Sequence, residues 1–155
     1  MFLFAMLLVL QGLSEGDPVR PATERVLAAD SGASSVSLDE ILDALRAVES
    51  GGQRDGGRRA TGDGGRAIGP YQIHYAYFLD AGVEGRYEDC RDPVYARRVV
   101  IAYWERWCPD ALKGCDAEVL ARVHNGGPRG ARKHSTLAYW HKVERRLLTA
   151  APLSN

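Results

Sequence analysis

Eight glycines fall in the nineteen residues from Gly51 to Gly69, GGQRDGGRRATGDGGRAIG, and no other stretch restricts the fold as much. Each glycine placed inside a helix costs about 1 kcal/mol relative to alanine, so the segment cannot be a helix. It also lacks the alternation of a long strand, leaving room only for short hairpin pairings around Thr61-Gly62-Asp63-Gly64. The stretch therefore reads as an irregular lobe or lid set into whatever body the flanking segments build.

Those flanks are helical. Ser37-Leu38-Asp39-Glu40 has the form of a capping box, and Leu38, Ile41, Leu42, Leu45 and Val48 follow at helical spacing until Gly51 and Gly52. Past the lobe, a second helix is expected from near Pro70, through Tyr71, Ile73, Tyr75, Phe78 and Leu79, ending before Gly82. Asp92-Pro93 opens a third, which carries Trp104 and Trp107 as packing residues. Asp116 caps a fourth that stops at Asn125-Gly126-Gly127-Pro128, and Ser135 caps a fifth through Leu137, Tyr139, Trp140, Val143 and Leu147. The chain of 155 residues holds about one domain's core. The expected class is mainly α, an α+β arrangement in which a helical domain carries a small glycine-rich lobe or hairpin across a cleft.

The first ten residues, MFLFAMLLVL, are too short for a membrane span of roughly 20 residues and suit the core of a signal peptide. Residues 1–16 are read as that signal, 17–36 as a Pro/Ala/Ser/Gly linker, and 37–150 as the catalytic domain. Cleavage of that signal would give a secreted or extracytoplasmic protein without a stable membrane partner, a retained N-terminal anchor being the alternative. The 20 basic residues balance the 20 acidic ones, which gives no global argument for binding nucleic acid. The balance is uneven, however. From Arg129 to Arg146 six basic residues face one acid, Glu144, a distribution that fits either an anionic polymer or a solvated helix face. Of the cysteines Cys90, Cys108 and Cys115, a fifteen-residue helix would hold the first two apart, so Cys108–Cys115 is the expected disulfide. No CxxC or paired histidines suggest a metal, and no cofactor is expected.

Glu49 sits in the last turn of the first helix, beside Val48 of its apolar face. Helix-end carbonyls and burial both disfavour ionisation of a carboxyl at such a position, which suits it to act as a general acid toward a glycosidic oxygen. Glycoside cleavage normally enlists a second carboxylate. Asp55 and Asp63 are available in the lobe, and Asp63, framed by Gly62, Gly64 and Gly65, is the more accessible.

Four segments together carry a resemblance: Val48-Glu49-Ser50-Gly51, Gly69-Pro70-Tyr71-Gln72-Ile73, Arg122-Val123-His124-Asn125-Gly126-Gly127-Pro128, and the run Thr136 to Val143. In this order and spacing they resemble the invertebrate-type, destabilase-like lysozymes, over roughly Leu38 to Val143. The resemblance implies a lysozyme-like fold and hydrolysis of β-1,4 bonds between N-acetylmuramic acid and N-acetylglucosamine in peptidoglycan, with Glu49 as general acid and Asp63 as nucleophile. Chitin oligomers share the N-acetylglucosamine linkage and are a second possible substrate. The chain departs from the family in having few cysteines and in the length of the Glu49–Asp63 segment. It also has no serine between Gly64 and Ile68 to accompany His124, so isopeptidase activity is not expected. Tyr71, Gln72, His74, His124, Asn125 and Tyr139 are the candidate sugar contacts, through aromatic faces and polar side chains. A lytic transglycosylase using Glu49 alone and a non-catalytic glycan-binding protein are the rival readings.

Overall fold

The computed structural model describes residues 36–51 and 53–150. The expected signal peptide, and all of the expected linker before Val36, lie outside the described residues.

Helix α1, Leu38–Ser50, begins as its capping box dictates. The Ser37 hydroxyl accepts from the Glu40 amide at 3.3 Å, and Glu40 accepts from the Ser37 amide at 2.7 Å. It ends at Gly51 in the left-handed conformation, buries Ile41, Leu42, Ala44 and Leu45, and brings Glu49 to the edge of the lobe. Three two-residue strands make up the lobe's sheet: β1 Thr61–Gly62, β2 Ala67–Ile68 and β3 Ile73–His74. They form an antiparallel meander with Thr61 opposite Ile68 and Ala67 opposite His74. A short 3-10 turn, Asp63–Gly65, closes the first hairpin and carries Asp63 at its tip. The hairpin expected at Thr61–Gly64 is thus present.

Helix α2 runs Tyr75–Ala81 and so starts five residues later than the sequence suggests. The delay has a local cause. Gly69 and Gln72 both have positive φ, and the Gln72 amide bonds back to the Gly69 carbonyl, so Pro70 enters a turn instead of a helix. Gly69 cannot be replaced here, because a Cβ on it would lie 2.0 Å from the Cys90 carbonyl oxygen. That close approach fastens the lobe to the 3-10 segment Tyr87–Arg91, which the sequence did not reveal.

Helix α3, Pro93–Trp107, crosses the core as expected, with Asp92 accepting from the Val94 and Tyr95 amides. Trp104 is fully buried and donates its indole N–H to the Leu120 carbonyl at 3.1 Å. Trp107, expected to pack, is instead 38% exposed, with the Arg106 guanidinium over its ring. The short helix α4, Pro109–Lys113, was not anticipated, and it stands between the two cysteines of the expected disulfide. Cys90, Cys108 and Cys115 are all unbonded thiols. The chain between Cys108 and Cys115, expected as a small loop, thus holds a five-residue helix. Helix α5, Ala117–Gly126, is capped by Asp116. Helix α6, Leu137–Ala150, is entered through a 3-10 turn, His134–Thr136, so Ser135 does not cap it. The Thr136 hydroxyl secures that entry with 2.8 Å bonds to the Gly130 and Lys133 carbonyls. Packing of α6 against α1 and α5 brings Tyr139 and His124 to Glu49.

Candidate active site

A cleft of about 320 Å³ separates the lobe from the helical body. It is lined by Glu49, Gly62, Asp63, Ala67, Gln72, His74, Tyr77, His124 and Asn125. Six of the residues expected from sequence thus reach one cavity: Glu49, Asp63, Gln72, His74, His124 and Asn125.

Glu49 enters from α1 with its side chain 18% exposed. Tyr139 reaches across from α6 and donates its hydroxyl to Glu49 Oε1 at 2.6 Å. His124 Nε2 lies 3.6 Å from the same oxygen. Both contacts fall on Oε1, which leaves Oε2 available to a substrate oxygen. Burial first, and then the charge of Glu49, push the Tyr139 phenol well above its ordinary pKa. The hydroxyl accordingly remains a donor throughout the neutral range. Tyr139 is a buried partner of the acid and does not line the cleft.

The histidine is held on both ring nitrogens. Nδ1 is 3.2 Å from the Tyr77 hydroxyl, and Nε2 is 3.2 Å from the Tyr71 carbonyl. Burial raises the Tyr77 phenol well above its usual pKa, so Tyr77 donates to Nδ1 and Nε2–H donates to the carbonyl. The Tyr77 ring in turn stacks on Tyr103 at 3.6 Å. His124 therefore ties α5 to α2 and to the turn before β3, which accounts for the histidine of the HNGGP segment in packing terms. Tyr71 contributes its carbonyl to this network. Its ring, expected as a sugar platform, is only 3% exposed and lies in the core.

On the opposite wall Asp63 is exposed and held at its tip. Arg66 donates to Oδ1 at 2.8 Å and to the Asp63 carbonyl at 3.0 Å, while His74 Nε2 lies 3.7 Å from Oδ2. Asp63 and Gln72 are two of the three described non-glycine residues with positive φ, and both line the cleft. Strain of this kind persists only where surrounding structure enforces it, and it gathers at functional sites. Gln72 Nε2 donates to the Gly69 carbonyl at 2.8 Å. Its Oε1 sits where a Cβ on Gly62 would approach to 2.3 Å, so only glycine at 62 leaves the amide this close to the strand. Asp55, the other acid of the lobe, spends both oxygens on the Gly57 and Arg59 amides, each at 3.0 Å, and builds a turn. Among the described residues no group of three or more His, Cys, Asp or Glu side chains is placed to hold a metal ion.

Sequence reasoning missed Tyr77. Its place at helical spacing before Asp80 and Ala81 carries no mark that distinguishes it from a packing aromatic. Only the fold places its hydroxyl against His124.

A half-buried acid on a helix end and an exposed one on a small antiparallel lobe line one cleft, an arrangement suited to glycoside cleavage, and its relatives make the chain a glycoside hydrolase with a lysozyme-like fold. Comparison with known proteins agrees. Residues 40–146 match the Destabilase family model, and the chain belongs to that family, the invertebrate-type lysozymes. A lysozyme of Meretrix lusoria is 32% identical over 115 residues, covering 73% of this chain and 93% of that protein. A lysozyme of Magallana gigas is 43% identical over 79 residues, half of this chain and 58% of the other. The crystal structure of Tapes japonica lysozyme superposes with a TM-score of 0.58 at 29% identity, over 68% of this chain and 87% of that one.

Proposed function

We propose that the chain is a secreted muramidase that cleaves the β-1,4 bond between N-acetylmuramic acid and N-acetylglucosamine in peptidoglycan with retention of configuration. Glu49 protonates the departing glycosidic oxygen from Oε2, and Asp63 attacks the anomeric carbon from the far wall. Water, activated by the Glu49 carboxylate, then releases the glycosyl group from Asp63. The observation that carries this reading is that the two acids line one cleft in unlike surroundings. Glu49 is largely enclosed and held on one oxygen by Tyr139, whereas Asp63 is open to solvent and steadied by Arg66. Unlike surroundings are what let one carboxyl serve as acid while its neighbour remains a nucleophile. Gln72, His74 and Asn125 are the polar contacts available to N-acetyl and hydroxyl groups. Secretion rests on the apolar run at the N-terminus.

The test is hydrolysis of purified peptidoglycan by the parent protein, Glu49→Gln and Asp63→Asn, with mass spectrometry of the released muropeptides. Reducing-end products from the parent, and loss of at least about 10³-fold in both variants, are expected. Products ending in an anhydro sugar, with Asp63→Asn fully active, would establish a lytic transglycosylase instead. Equal activity of Glu49→Gln and the parent would remove Glu49 from the chemistry.

A further inference from the structure

A second concavity, of about 380 Å³, lies between the last turn of α1 and α6. Ala47, Val48 and Gly51 form one side, and Lys142, Arg145, Arg146 and Thr149 form the other. The latter four recur at i, i+3, i+4 and i+7, a single face of α6 about 10 Å long. Ala47 and Val48 lie about 200° and 100° around α1 from Glu49, so the groove opens on a different side of that helix end from the cleft. It is not a sugar subsite of the catalytic cavity.

No acid lines this groove. Glu40 and Asp43 share an adjoining concavity with Arg146 and Thr149, where Asp43 pairs with Arg46 at 3.3 Å and Glu40 accepts from the Ser37 amide at 2.7 Å, while Glu144 pairs with His141 at 3.2 Å and Glu49 accepts from Tyr139 at 2.6 Å. Arg58, Arg66, Arg97 and Arg122 each pair with an acid, whereas among the described residues bases such as Arg54, Arg98 and Arg132 do not, so what sets the α6 residues apart is their alignment along one concave face rather than their lack of partners. Among the described residues Lys142, Arg145 and Arg146 have no ion-pair partner, and all three are exposed. The basic run in the sequence therefore divides. Lys133 is used internally, donating to the Gly126 carbonyl, while the α6 trio is left facing solvent across a concave surface.

We infer that this groove is an anion exosite that binds the phosphodiester polymers attached to bacterial cell walls. Three cations and a hydroxyl aligned over about 10 Å match a ligand whose negative charge repeats along a chain better than a single ion. Adjacent guanidinium forks match phosphate oxygens through paired hydrogen bonds. Held by this face, the enzyme stays on the wall between cleavage events while the cleft engages the glycan. The inference rests on the cell-wall reading of the active site, but its readout is binding and does not require turnover.

The experiment compares the parent with the triple variant Lys142→Gln/Arg145→Gln/Arg146→Gln by sedimentation with Gram-positive walls, intact or stripped of phosphodiester polymer with hydrofluoric acid. Soluble poly(glycerol phosphate) and polyglutamate serve as competitors, and all binding is measured from 50 to 300 mM salt. The expected result is roughly tenfold weaker binding of the variant to intact walls, with a shallower salt dependence, and no difference on stripped walls. Poly(glycerol phosphate) should displace the parent well below the concentration of polyglutamate needed. Equal loss on both kinds of wall, no loss on either, or equal competition by polyglutamate would overturn the proposal. The single variants Lys142→Gln and Arg145→Gln, each an exposed change, give the same comparison should the triple variant not fold. An active parent with no exosite effect would refute this inference alone, whereas an inactive parent with a clear exosite effect would refute the muramidase reading alone.

Discussion

Replacing Tyr139 with phenylalanine removes one hydroxyl and keeps the ring that fills the space between α6 and α1. In the parent that hydroxyl donates to Glu49 Oε1 at 2.6 Å, with the carboxyl only 18% exposed. Burial and the neighbouring Glu49 charge hold the phenol protonated, so the bond persists across the working pH range. In the proposed mechanism, with Glu49 carrying its proton, the bond occupies Oε1 and leaves Oε2 for the leaving oxygen. As the proton departs, Oε1 gains negative charge and the bond strengthens, which is the condition for lowering a barrier. A hydrogen bond to a charged group contributes about 1.5–3 kcal/mol. Some of this is recovered by water reaching a carboxyl that is not wholly enclosed, so about 1.5 kcal/mol is a fair expectation. That corresponds to about a tenfold fall in kcat. KM should change less than twofold, because Tyr139 does not line the cleft. Steady-state kinetics on soluble peptidoglycan fragments, with a thermal melt alongside, would measure both quantities. A Tyr139→Phe enzyme with kcat within twofold of the parent, or a loss confined to KM, would refute the positioning role. A lowered Tm with unchanged kcat would reduce Tyr139 to a packing residue.

Three further outcomes follow from the geometry. Gly62→Ala would place a Cβ 2.3 Å from Gln72 Oε1, and a flexible amide can move aside. The melt should therefore shift little while KM rises several-fold, and an unchanged KM would show that the Gln72 amide does not contact substrate. Asp92 caps α3, and its carboxyl is held below the usual range by the Tyr95 amide and then by Arg58. A depressed folded-state value stabilises above the unfolded pKa of about 3.9 and is lost as pH falls through the folded one. The Tm deficit of Asp92→Ala should thus be full above about pH 5 and shrink in more acid solution; a pH-independent deficit would rule out the charge as its cause. Because the three cysteines are unbonded, adding reductant should leave the melt unchanged, whereas a drop of several degrees would reveal a disulfide formed in solution.

Local physics carried much of the helical body into the sequence. A capping box, an Asp-Pro start and an Asp cap mark α1, α3 and α5, because N-terminal amides must be satisfied within a residue or two of where they occur. Gly51, Gly64 and Gly65 likewise announced a helix stop and a hairpin tip, since few other residues tolerate positive φ. Glu49 and Asp63 were legible for the same reason, each sitting beside such a mark. Where a signal depended on distant partners, the reading failed. The start of α2 was displaced by a turn that closes against Cys90, and α4 formed where only a loop was expected.

Sequence alone determined that this chain is a helical body interrupted by a glycine-rich lobe, with one acid on a helix end and another on a hairpin tip, because those features arise from neighbours a few residues apart. Tertiary structure alone decided what each acid experiences. Tyr139 stands 90 positions from Glu49, and the Tyr77 hydroxyl 47 from His124, yet each pair shares a hydrogen bond. Contacts over such separations are chosen by how whole helices pack, and no local pattern of residues records them.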